Sequence, residues 1–369
     1  MTKLPMFYYV FRMSQTYFNK KNIRSQTKVG LPKHNNNIKS VLQYPKELLK
    51  EKEVQRVERS SKSPRPNLIE NTNQEIPLLS EWTDENALKI ESLMQANESI
   101  VVAAFDFDNT CIIGDITESV MEEILNRDVL RCSKEQLSKM LKKHISPVIE
   151  EAISSGTETQ SLLSTLEIVI REFDKPEKIK FKTEFDKLYR DLEKNWGEKG
   201  IKAAYEMISI LFTGFNENEI RDITKKVVSE QKVKICKKMG QLMTGYKDKL
   251  EVHLVTASLE IIAKEAVKRL GLPIKEENIH GVRLKKEGAE NRFIAEFEGT
   301  QTFLDGKAKR VNEEIVEKTG RKPKIVAGDS KNDRWLLNCN QNALKIVKEN
   351  KTLYNELKKE TKNVIFENN

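Results

Sequence analysis

The feature that most constrains the fold is an apolar run, residues 100–105, that ends directly in Asp106-Phe107-Asp108-Asn109-Thr110. Six consecutive apolar residues predict a strand that is buried on both faces, as in the parallel sheets of α/β proteins. Open α/β sheets bind their ligands at the carboxyl ends of the strands. The two aspartates are therefore predicted to lie at a ligand-binding edge of such a sheet.

These two aspartates could hold a metal ion. Side chains alternate along an extended chain, so Asp106 and Asp108 project to the same side. Two carboxylates this close repel one another, and a divalent cation between them would relieve the repulsion. Oxygen-only ligands favour a hard cation, and Mg²⁺ fits best. A surface turn without an ion is the alternative interpretation of the same residues.

Two later segments add groups that suit an anion. Residues 252–258 form a second buried-strand pattern, in which Thr256 directly ends the apolar run. A helix is predicted to follow over residues 259–270. Thr256 would thus lie beside a helix N-terminus, whose free N–H groups attract anions. Gly306-Lys307 opens another predicted helix with a cation in its first turn, against the preference of the helix dipole. A phosphate within reach would explain that lysine.

A fourth segment repeats the first pattern. Residues 324–327 predict a short strand, and the strand is followed by Gly328-Asp329-Ser330-Lys331-Asn332-Asp333. Carboxylates again follow a strand at its carboxyl end. The order of the four segments along the chain carries more weight than any one of them.

The segments DFDNT, VTAS, GK and GDSKND resemble the four motifs of the haloacid-dehalogenase superfamily of phosphohydrolases, in order, over residues 100–369. Within that superfamily the chain is most similar to the phosphoserine phosphatase branch. The stretch DFDNTCIIGDITES also resembles the corresponding segment of bacterial phosphorylcholine phosphatases. The resemblance implies a doubly wound, mostly parallel α/β sheet with a helical cap inserted between the first two motifs.

The resemblance also implies a role for each matched residue. Asp106 would be the nucleophile that forms an aspartyl-phosphate, and Asp108 would protonate the leaving alkoxide and then accept a proton from water. Mg²⁺ would be bound by Asp106, the backbone carbonyl of Asp108 and Asp329. The other matched residues would bind the phosphoryl group (Thr256, Ala257 and Lys307) or orient metal-bound water and the lysine (Asn332 and Asp333).

Two positions have alternatives in the sequence. Ser258 could take the place of Thr256, and Lys309 could take the place of Lys307. We prefer Thr256 because it directly ends the apolar run, and Lys307 because it follows the glycine. The remaining interpretation makes the hydroxyl residues helix caps and Lys307 a solvated side chain.

The segment between the first two motifs, residues 116–245, is predicted to be helical throughout. Apolar residues recur at spacings of three and four over residues 133–149, 161–173, 178–194 and 203–211. In the superfamily that the chain resembles, such an insertion closes over the site, excludes water and favours small soluble phosphates.

Asp115 and Glu118 have two interpretations. Asp115 is a suitable N-cap residue, and Glu118 lies three positions later, as in the start of a helix. The resemblance suggests instead that one of them binds a cationic group of the substrate, and one residue could do both. Aromatic residues of the insertion could contact such a cation or fill its core (Tyr189, Trp196, Tyr205 and Phe212). Four arginines are candidates for binding a substrate carboxylate (Arg127, Arg131, Arg171 and Arg190).

The end of the chain is predicted to complete the sheet. Residues 278–285 and 292–297 resemble a hairpin joined by Lys286-Glu287-Gly288-Ala289 and lying beside the core. A strand over residues 343–347, a helix near residues 352–361 and a strand over residues 364–366 would supply the outer elements.

Composition limits the partners. The net charge is +8, but residues 1–66 hold 15 Lys or Arg against 4 Asp or Glu, so the rest of the chain is near −3. We expect residues 1–75 to be a basic, disordered extension, and we expect no nucleic-acid partner. No run approaches the ~20 apolar residues that span a bilayer. Four scattered cysteines predict reduced thiols and a cytoplasmic location.

The sequence thus predicts a catalytic core over residues 76–115 and 246–369, with a cap over residues 116–245. The predicted activity is Mg²⁺-dependent hydrolysis of a small phosphomonoester, with phosphorylcholine or a related amino-alcohol phosphate as first choice and phosphoserine as the alternative. The competing class is a catalytically retired module that binds a phosphate compound or regulates a partner.

Overall fold

A computed structural model describes residues 79–97, 99–175 and 178–368. The predicted extension over residues 1–75 lies outside these ranges. The strands are β1 (Val101–Phe105), β2 (Ile112–Ile113), β3 (Lys234–Ile235), β4 (Leu250–Leu259), β5 (Ile279–Val282), β6 (Leu284–Glu287), β7 (Arg292–Phe297), β8 (Ile325–Gly328), β9 (Leu344–Lys348) and β10 (Val364–Glu367).

The helices follow the same chain order. They are α1 (Asp84–Gln95), α2 (Ile116–Asn126), α3 (Lys134–Ser154), α4 (Gln160–Glu172), α5 (Lys178–Asn195), α6 (Gly197–Ile210), α7 (Glu217–Ser229), α8 (Lys237–Gly245), α9 (Glu260–Leu270), α10 (Asp305–Val311), α11 (Arg334–Leu337) and α12 (Lys351–Glu360). Helix α10 continues through a π-helical turn, Asn312–Val316, to Glu317–Thr319.

The central sheet has six strands in the order β10-β9-β8-β1-β4-β5, and every neighbouring pair is parallel. The chain runs outward from β1 through β4 to β5, returns to the other side of β1 at β8, and continues to β10. The strand order therefore reverses between β1 and β8, where open α/β sheets place their ligands. The predicted doubly wound, mostly parallel α/β sheet is confirmed.

The strand β1 explains why this sheet forms the centre of the molecule. All five of its residues are buried, as the apolar run predicts. One core cluster packs Val102 and Ala104 of β1 with Val326 of β8 and with apolar residues of α12, Leu353 and Leu357. This packing holds the carboxyl ends of β1 and β8 side by side, so it positions the residues that follow both strands.

Residues 116–245 are mostly helical, with one short exception. The two-residue strand β3 pairs antiparallel with β2, just after the first motif. Helices α3 to α6 pack on one another, whereas α7 packs on α2 and on α9, which follows β4. Helices α3 and α7 both begin with a capping box, formed at Ser133 and Asn216 respectively.

The predicted hairpin is wrong in its first strand. Residues 279–282 form β5, the edge strand of the central sheet, and only β6 pairs antiparallel with β7. The turn accordingly follows Glu287 rather than including it. Periodicity places strands along the chain, but it does not say which strand is the partner, and this apolar segment found a deeper position beside β4. Among the described helices, none has the length and apolar character needed to cross a membrane.

Candidate active site

Asp106 lies where β1 ends, at the centre of a group of polar side chains that come from four parts of the chain. Its backbone N–H donates to the carbonyl oxygen of Ala327 in β8 at 2.9 Å, which ties the two strand ends together. Its Oδ1 accepts from Lys307 Nζ at 2.6 Å, and its Oδ2 accepts from Thr110 Oγ1 at 3.3 Å. The side chain is only 5% exposed, so a charge on it depends on these partners.

The turn after Asp106 depends on Asn109 and Gly114. Asn109 has φ 55° and Gly114 has φ 107°, and both residue types tolerate positive φ better than others do. The Asn109 side-chain oxygen also accepts from the Gly114 N–H at 3.2 Å. This closes the loop before α2.

Asp108 has partners on a different strand. Its Oδ2 accepts from Ser258 Oγ at 2.7 Å and from Thr256 Oγ1 at 3.1 Å, while its Oδ1 accepts from the Ile116 N–H at 2.8 Å. Thr256 and Ser258 both lie in the last part of β4, where the pairing with β5 is irregular. Both hydroxyl residues contact Asp108, and the preference for Thr256 over Ser258 in binding a phosphoryl group stays a prediction. Ala257 lies half-buried between them.

Lys307 reaches the site from the first turn of α10 and is 3% exposed. Its Nζ donates to both Asp106 and Asp333, and the distance from Nζ to Asp333 Oδ1 is 2.5 Å. The alternative, Lys309, pairs with Asp305 and is 63% exposed on its side chain, so it lies on the outer face of the helix. Burial opposes the charge on Lys307, but the two carboxylates outweigh it and raise its pKa above the usual value.

The turn that carries Lys307 is tight and strained. Leu304 has φ 50° and ψ −131°, which is rare for a branched residue. A Cβ on Gly306 would come within 1.8 Å of the Gln301 carbonyl oxygen, so only glycine fits. Thr302 Oγ1 donates to the Thr256 carbonyl oxygen at 2.5 Å and fastens the turn to β4. Strain of this kind persists only where surrounding contacts hold it.

Asp329 and Asp333 occupy the turn after β8. Asp333 Oδ2 accepts from Ser330 N at 2.9 Å, Ser330 Oγ at 2.8 Å and Asp329 N at 3.2 Å. Gly328 is needed beneath this turn, because a Cβ there would lie 2.5 Å from the Asp333 Cβ. Asp329 has fewer partners: its Oδ1 accepts from Thr110 Oγ1 at 3.4 Å. Its carboxylate is therefore the member of the site with most free ligand capacity.

The carboxylates fit a cation. Oxygens of Asp106, Asp329 and Asp333 lie within 4.8 Å of one another. Burial and the Asp333 charge raise the pKa of Asp106 to about 7, and burial with the same neighbour raises the pKa of Asp329 well above its usual range. Burial also opposes ionisation of Asp333, but Lys307 outweighs it and lowers the pKa of this carboxyl. Carboxyl groups that resist ionisation together are typical of a site that a hard divalent ion neutralises.

Asp108 does not belong to this carboxylate group, because its side chain points to Ser258 and Thr256. Burial and the nearby Asp115 raise the pKa of Asp108 to about 7. A pKa near neutrality suits a group that must both give and take a proton. The contribution predicted for Asp108 in metal binding is its backbone carbonyl, and it stays a prediction.

Asp115 has the structural role that the sequence allowed. It caps α2, with its Oδ1 accepting from the Glu118 N–H at 2.7 Å. Burial and Glu118 raise the pKa of Asp115 well above its usual range. Burial raises the pKa of Glu118 to about 8, although the Arg190 guanidinium on α5 opposes this shift. Asp115 and Glu118 thus lie close to Asp108, and the charge of Arg190 acts on Glu118.

The candidate arginines separate in the structure. Three of them pair with carboxylates away from the site (Arg127 with Glu123, Arg131 with Glu219 and Arg171 with Glu172). Arg190 donates from Nε to Asp186 at 2.9 Å and is the one whose charge acts on Glu118.

Of the candidate aromatic residues, Phe212 is fully buried and Tyr189 is 8% exposed, so both are core residues. Trp196 donates from Nε1 to Asp191 at 3.0 Å.

Tyr205 on α6 contacts the core of the site. Asn332 Nδ2 donates to its hydroxyl oxygen at 3.2 Å, and its ring stacks on Phe303 with centroids 5.5 Å apart. Asn332 was predicted to orient metal-bound water, and this contact with a helix of the insertion was not expected.

Two further residues of the site were missed as participants. Thr110 contacts both Asp106 and Asp329, and its place four residues after Asp106 in the first motif was the available signal. Phe303 gave no signal, because a single aromatic residue in a loop is typical of many packing positions.

Comparisons with known proteins concern the fold. No protein-family model matches the sequence, and no curated protein is significantly similar to it. A solved structure of a conserved, functionally unknown protein from Anaerococcus prevotii matches with a TM-score of 0.56 and 18% identity, over 75% of this chain and 89% of that one.

Other solved structures match less closely. A substrate-bound phosphoserine phosphatase has a TM-score of 0.41 at 13% identity, over 73% of this chain and 94% of its own. A haloacid-dehalogenase family hydrolase from Salmonella enterica serovar Typhi has 0.39 at 12% identity, over 75% and 76%. The chain shares its α/β fold with the Anaerococcus protein, and the four segments that resemble the haloacid-dehalogenase motifs meet at one site.

Proposed function

We propose that the chain is a Mg²⁺-dependent phosphomonoester hydrolase that acts through an aspartyl-phosphate. The observation that supports this most directly is the position of Asp106, which is buried, held by Lys307 and Thr110, and next to the Asp329 carboxylate. A carboxylate fixed at a strand end with a cation on one side is oriented to attack phosphorus.

In the proposed first step, an Asp106 carboxylate oxygen attacks phosphorus in line as the bond to the ester oxygen breaks. Asp108 gives its proton to the departing alkoxide, for which a pKa of about 7 is suited. In the second step, Asp108 takes a proton from water, the water oxygen bonds to phosphorus, and the bond to Asp106 breaks. Phosphate leaves, and both carboxyl groups return to their starting states.

In this scheme Thr256 would serve two groups, Asp108 and the phosphoryl group, and Ser258 would serve Asp108. Their hydroxyls now donate to Asp108. When phosphate is bound, Thr256 and the Ala257 N–H would donate to phosphoryl oxygens, and Lys307 would offset the charge on the phosphate and on Asp106. Asp333 keeps Lys307 in place, because it bonds the lysine and is itself fixed by Ser330.

The residues that would hold Mg²⁺ are Asp106, Asp329 and the backbone carbonyl of Asp108, with Asp333 close by. When bound, the ion neutralises the negative charge of the phosphate and of the carboxylates. Support comes from the free ligand capacity of Asp329 and from the raised pKa values of Asp106 and Asp329.

For the leaving group, phosphorylcholine or a related amino-alcohol phosphate remains our first choice. Asp115 and Glu118 lie beside Asp108, and a cationic group would stabilise their ionised forms. Phosphoserine is the alternative, and one observation favours it. Arg190 lies near Glu118, so an ammonium and a carboxylate of one substrate would each find a partner of opposite charge.

We also propose that residues 116–245 are the cap and that residues 76–115 and 246–369 are the catalytic core. The packing of α3 to α6 on one another supports a separate layer over the site. A lid of this kind excludes water and limits the substrate to a small phosphate.

A cytoplasmic location stays a prediction from the cysteine content.

The activity is tested by hydrolysis of 4-nitrophenyl phosphate with Mg²⁺ and with EDTA, for the wild type and for Asp106→Asn. We expect Mg²⁺-dependent turnover that the Asn variant loses, because an amide is a poor nucleophile. A wild type no faster than the variant would favour the competing class, a retired phosphate-binding or regulatory module.

The substrate is tested with a panel of phosphorylcholine, phosphoethanolamine, phosphoserine and glycerol phosphate, compared by kcat/KM. Glu118→Gln should lower kcat/KM for the cationic esters and leave glycerol phosphate unchanged. Arg190→Gln should lower kcat/KM for phosphoserine alone. If both variants keep the wild-type order of substrates, the proposed leaving-group site is wrong.

A further inference from the structure

Tyr205 connects the helical insertion with two motifs of the site. It lies on α6, within residues 116–245, but its hydroxyl oxygen accepts from Asn332 Nδ2 at 3.2 Å across 127 positions of sequence. Asn332 directly precedes Asp333, the residue that holds Lys307. The ring of Tyr205 stacks on Phe303, with an interplanar angle of 10°. Phe303 precedes the strained Leu304 in the turn that carries Lys307.

The hydroxyl of Tyr205 has an unused hydrogen. A phenol can donate one hydrogen bond and accept others, and here the oxygen is the acceptor for Asn332. Within residues 79–97, 99–175 and 178–368, no acceptor contacts the Tyr205 hydroxyl hydrogen. A half-buried phenol normally finds such a partner. The hydroxyl can therefore still donate one hydrogen bond to a bound group.

The surroundings indicate what that acceptor is. Asn332, the donor to the Tyr205 hydroxyl, directly precedes Asp333, which is bonded to Lys307, so the hydroxyl lies close to the ion pair that faces Asp106. The charges of Lys307 and Asp333 accordingly influence the pKa of Tyr205. Burial and the nearby Glu193 raise the pKa of Tyr205, so the phenol keeps its proton at neutral pH. A neutral O–H donor beside Lys307 suits an anionic oxygen.

The stacking on Phe303 keeps the donor in place. Phe303 is 5% exposed, and its turn is fixed to β4 by Thr302 and closed by Gly306. A ring held flat against a rigid turn has little conformational freedom. Little entropy is therefore lost when its hydroxyl aligns with a bound acceptor.

We propose that Tyr205 is a substrate-binding residue contributed by the helical insertion, and that its hydroxyl donates to an oxygen of the phosphoryl group held by Lys307. The proposal rests on the proposed function. It adds a fifth element, α6, to the four motifs.

The test uses the full-length chain as wild type, Tyr205→Phe, Asp106→Asn and the control Tyr354→Phe. Tyr354 also packs on a phenylalanine, Phe366, with centroids 5.4 Å apart, but it lies near the end of the chain on α12. Binding of inorganic phosphate is measured by titration calorimetry in the presence of Mg²⁺, hydrolysis of 4-nitrophenyl phosphate by kcat and KM, and folding by Tm.

Tyr205→Phe keeps the stacked ring and removes one hydrogen bond to a charged acceptor. We expect phosphate to bind about 10- to 100-fold more weakly, with kcat/KM lowered to a similar extent and Tm nearly unchanged. Tyr354→Phe should match the wild type in phosphate affinity and in kcat/KM.

The outcomes separate the two proposals. If the wild type is active and Tyr205→Phe has the same phosphate affinity and kcat/KM, the inference is wrong and the proposed function stands. If the wild type is no faster than Asp106→Asn, the proposed function fails, and the phosphate titration alone then decides the role of Tyr205. Equal losses in Tyr205→Phe and Tyr354→Phe would also overturn the inference, because they would reflect a general loss of packing.

Discussion

At the scale of single residues, the site depends on how one lysine is shared. Lys307 lies between Asp106 and Asp333, and all three are nearly inaccessible to solvent. Breaking a buried pair costs far more than breaking an exposed one, because the remaining charge is left without a partner. Two lysines of α10 therefore have very different importance, although only one residue separates them in sequence.

Replacing Lys307 with Gln should lower the free energy of unfolding by about 3–5 kcal/mol and abolish turnover, because Asp106 and Asp333 lose their common partner. Lys309→Gln is the matched control, since Lys309 pairs with Asp305 at the surface. Such an exposed pair is screened by solvent and contributes little to stability. Urea unfolding and 4-nitrophenyl phosphate hydrolysis measure both effects, and equal behaviour of the two variants would contradict the assigned positions.

Glu118 should make stability depend on pH. Its folded pKa of about 8 lies above the ordinary value of 4.5, so the folded chain binds a proton that the unfolded chain releases between these values. Stability from this group is full below pH 4.5 and is lost as the pH rises through 8. Without substrate, we expect Tm of Glu118→Gln to exceed the wild-type Tm most at pH 8 to 9 and least near pH 5.

The comparison for Glu118→Gln is the wild type at each pH, because the amide has nearly the same shape and cannot titrate. A constant difference in Tm across the range would show that Glu118 is not protonated in the folded chain.

At the scale of elements, the N-cap residue of α2, Asp115, has one observed role and one proposed role. Asp115 caps the helix and also lies among the carboxyl groups beside Asp108. The cap needs only an acceptor oxygen, whereas cation binding needs a charge. Asparagine is as good an N-cap as aspartate, so substitution can separate the two roles.

Asp115→Ala should lower the free energy of unfolding by about 0.5–2 kcal/mol, because the Glu118 N–H loses its acceptor. Asp115→Asn should retain the wild-type stability. Both variants should lose part of the preference for phosphorylcholine over glycerol phosphate. Thermal unfolding and kcat/KM measure the two effects separately, and a substrate preference kept by both variants would leave Asp115 with the capping role alone.

At the scale of the whole molecule, the site has an excess of acidic groups. Asp106 and Asp333 contact one buried lysine, Lys307, and further carboxyl groups lie close by (Asp108, Asp329, Asp115 and Glu118). Such an arrangement is stable only with bound protons or with a bound cation. We therefore expect the free energy of unfolding to respond to divalent ions.

Mg²⁺ should raise Tm, and EDTA should reverse the effect. With Mg²⁺ at about 100 times its Kd, the stabilisation should approach ~2.7 kcal/mol. The increase should be larger at pH 8 than at pH 5, because Mg²⁺ competes with protons that the carboxyl groups bind more strongly when their pKa values are raised. Asp329→Asn should remove most of the increase. An unchanged Tm of the wild type would contradict the magnesium site.

The parts of the fold and of the site that the sequence predicted are those that depend on interactions between residues close together along the chain. The apolar runs predicted β1, the last part of β4 and β8, because burial on both faces of a parallel sheet leaves a clear local pattern. The helices of residues 116–245 and the N-cap at Asp115 followed from local spacing in the same way. The resemblance of the four motifs added the expectation that they meet.

The prediction of the hairpin was wrong because the position of a strand depends on its partner strands in the sheet. Residues 279–282 had a pattern that any strand could have, and the sheet edge beside β4 took them. Similarly, the contact between Tyr205 and Asn332 joins an insertion helix to a motif over 100 positions away, and no spacing rule connects them.

The sequence by itself determined which segments become strands and helices and which chemical groups stand at their ends. Local sterics and burial periodicity are sufficient for that. Only the tertiary structure decided that Lys307 rather than Lys309 points inward, that Thr256 and Ser258 both contact Asp108, and that Tyr205 reaches the site. These choices depend on the geometry of elements packed against each other, which a one-dimensional pattern does not contain.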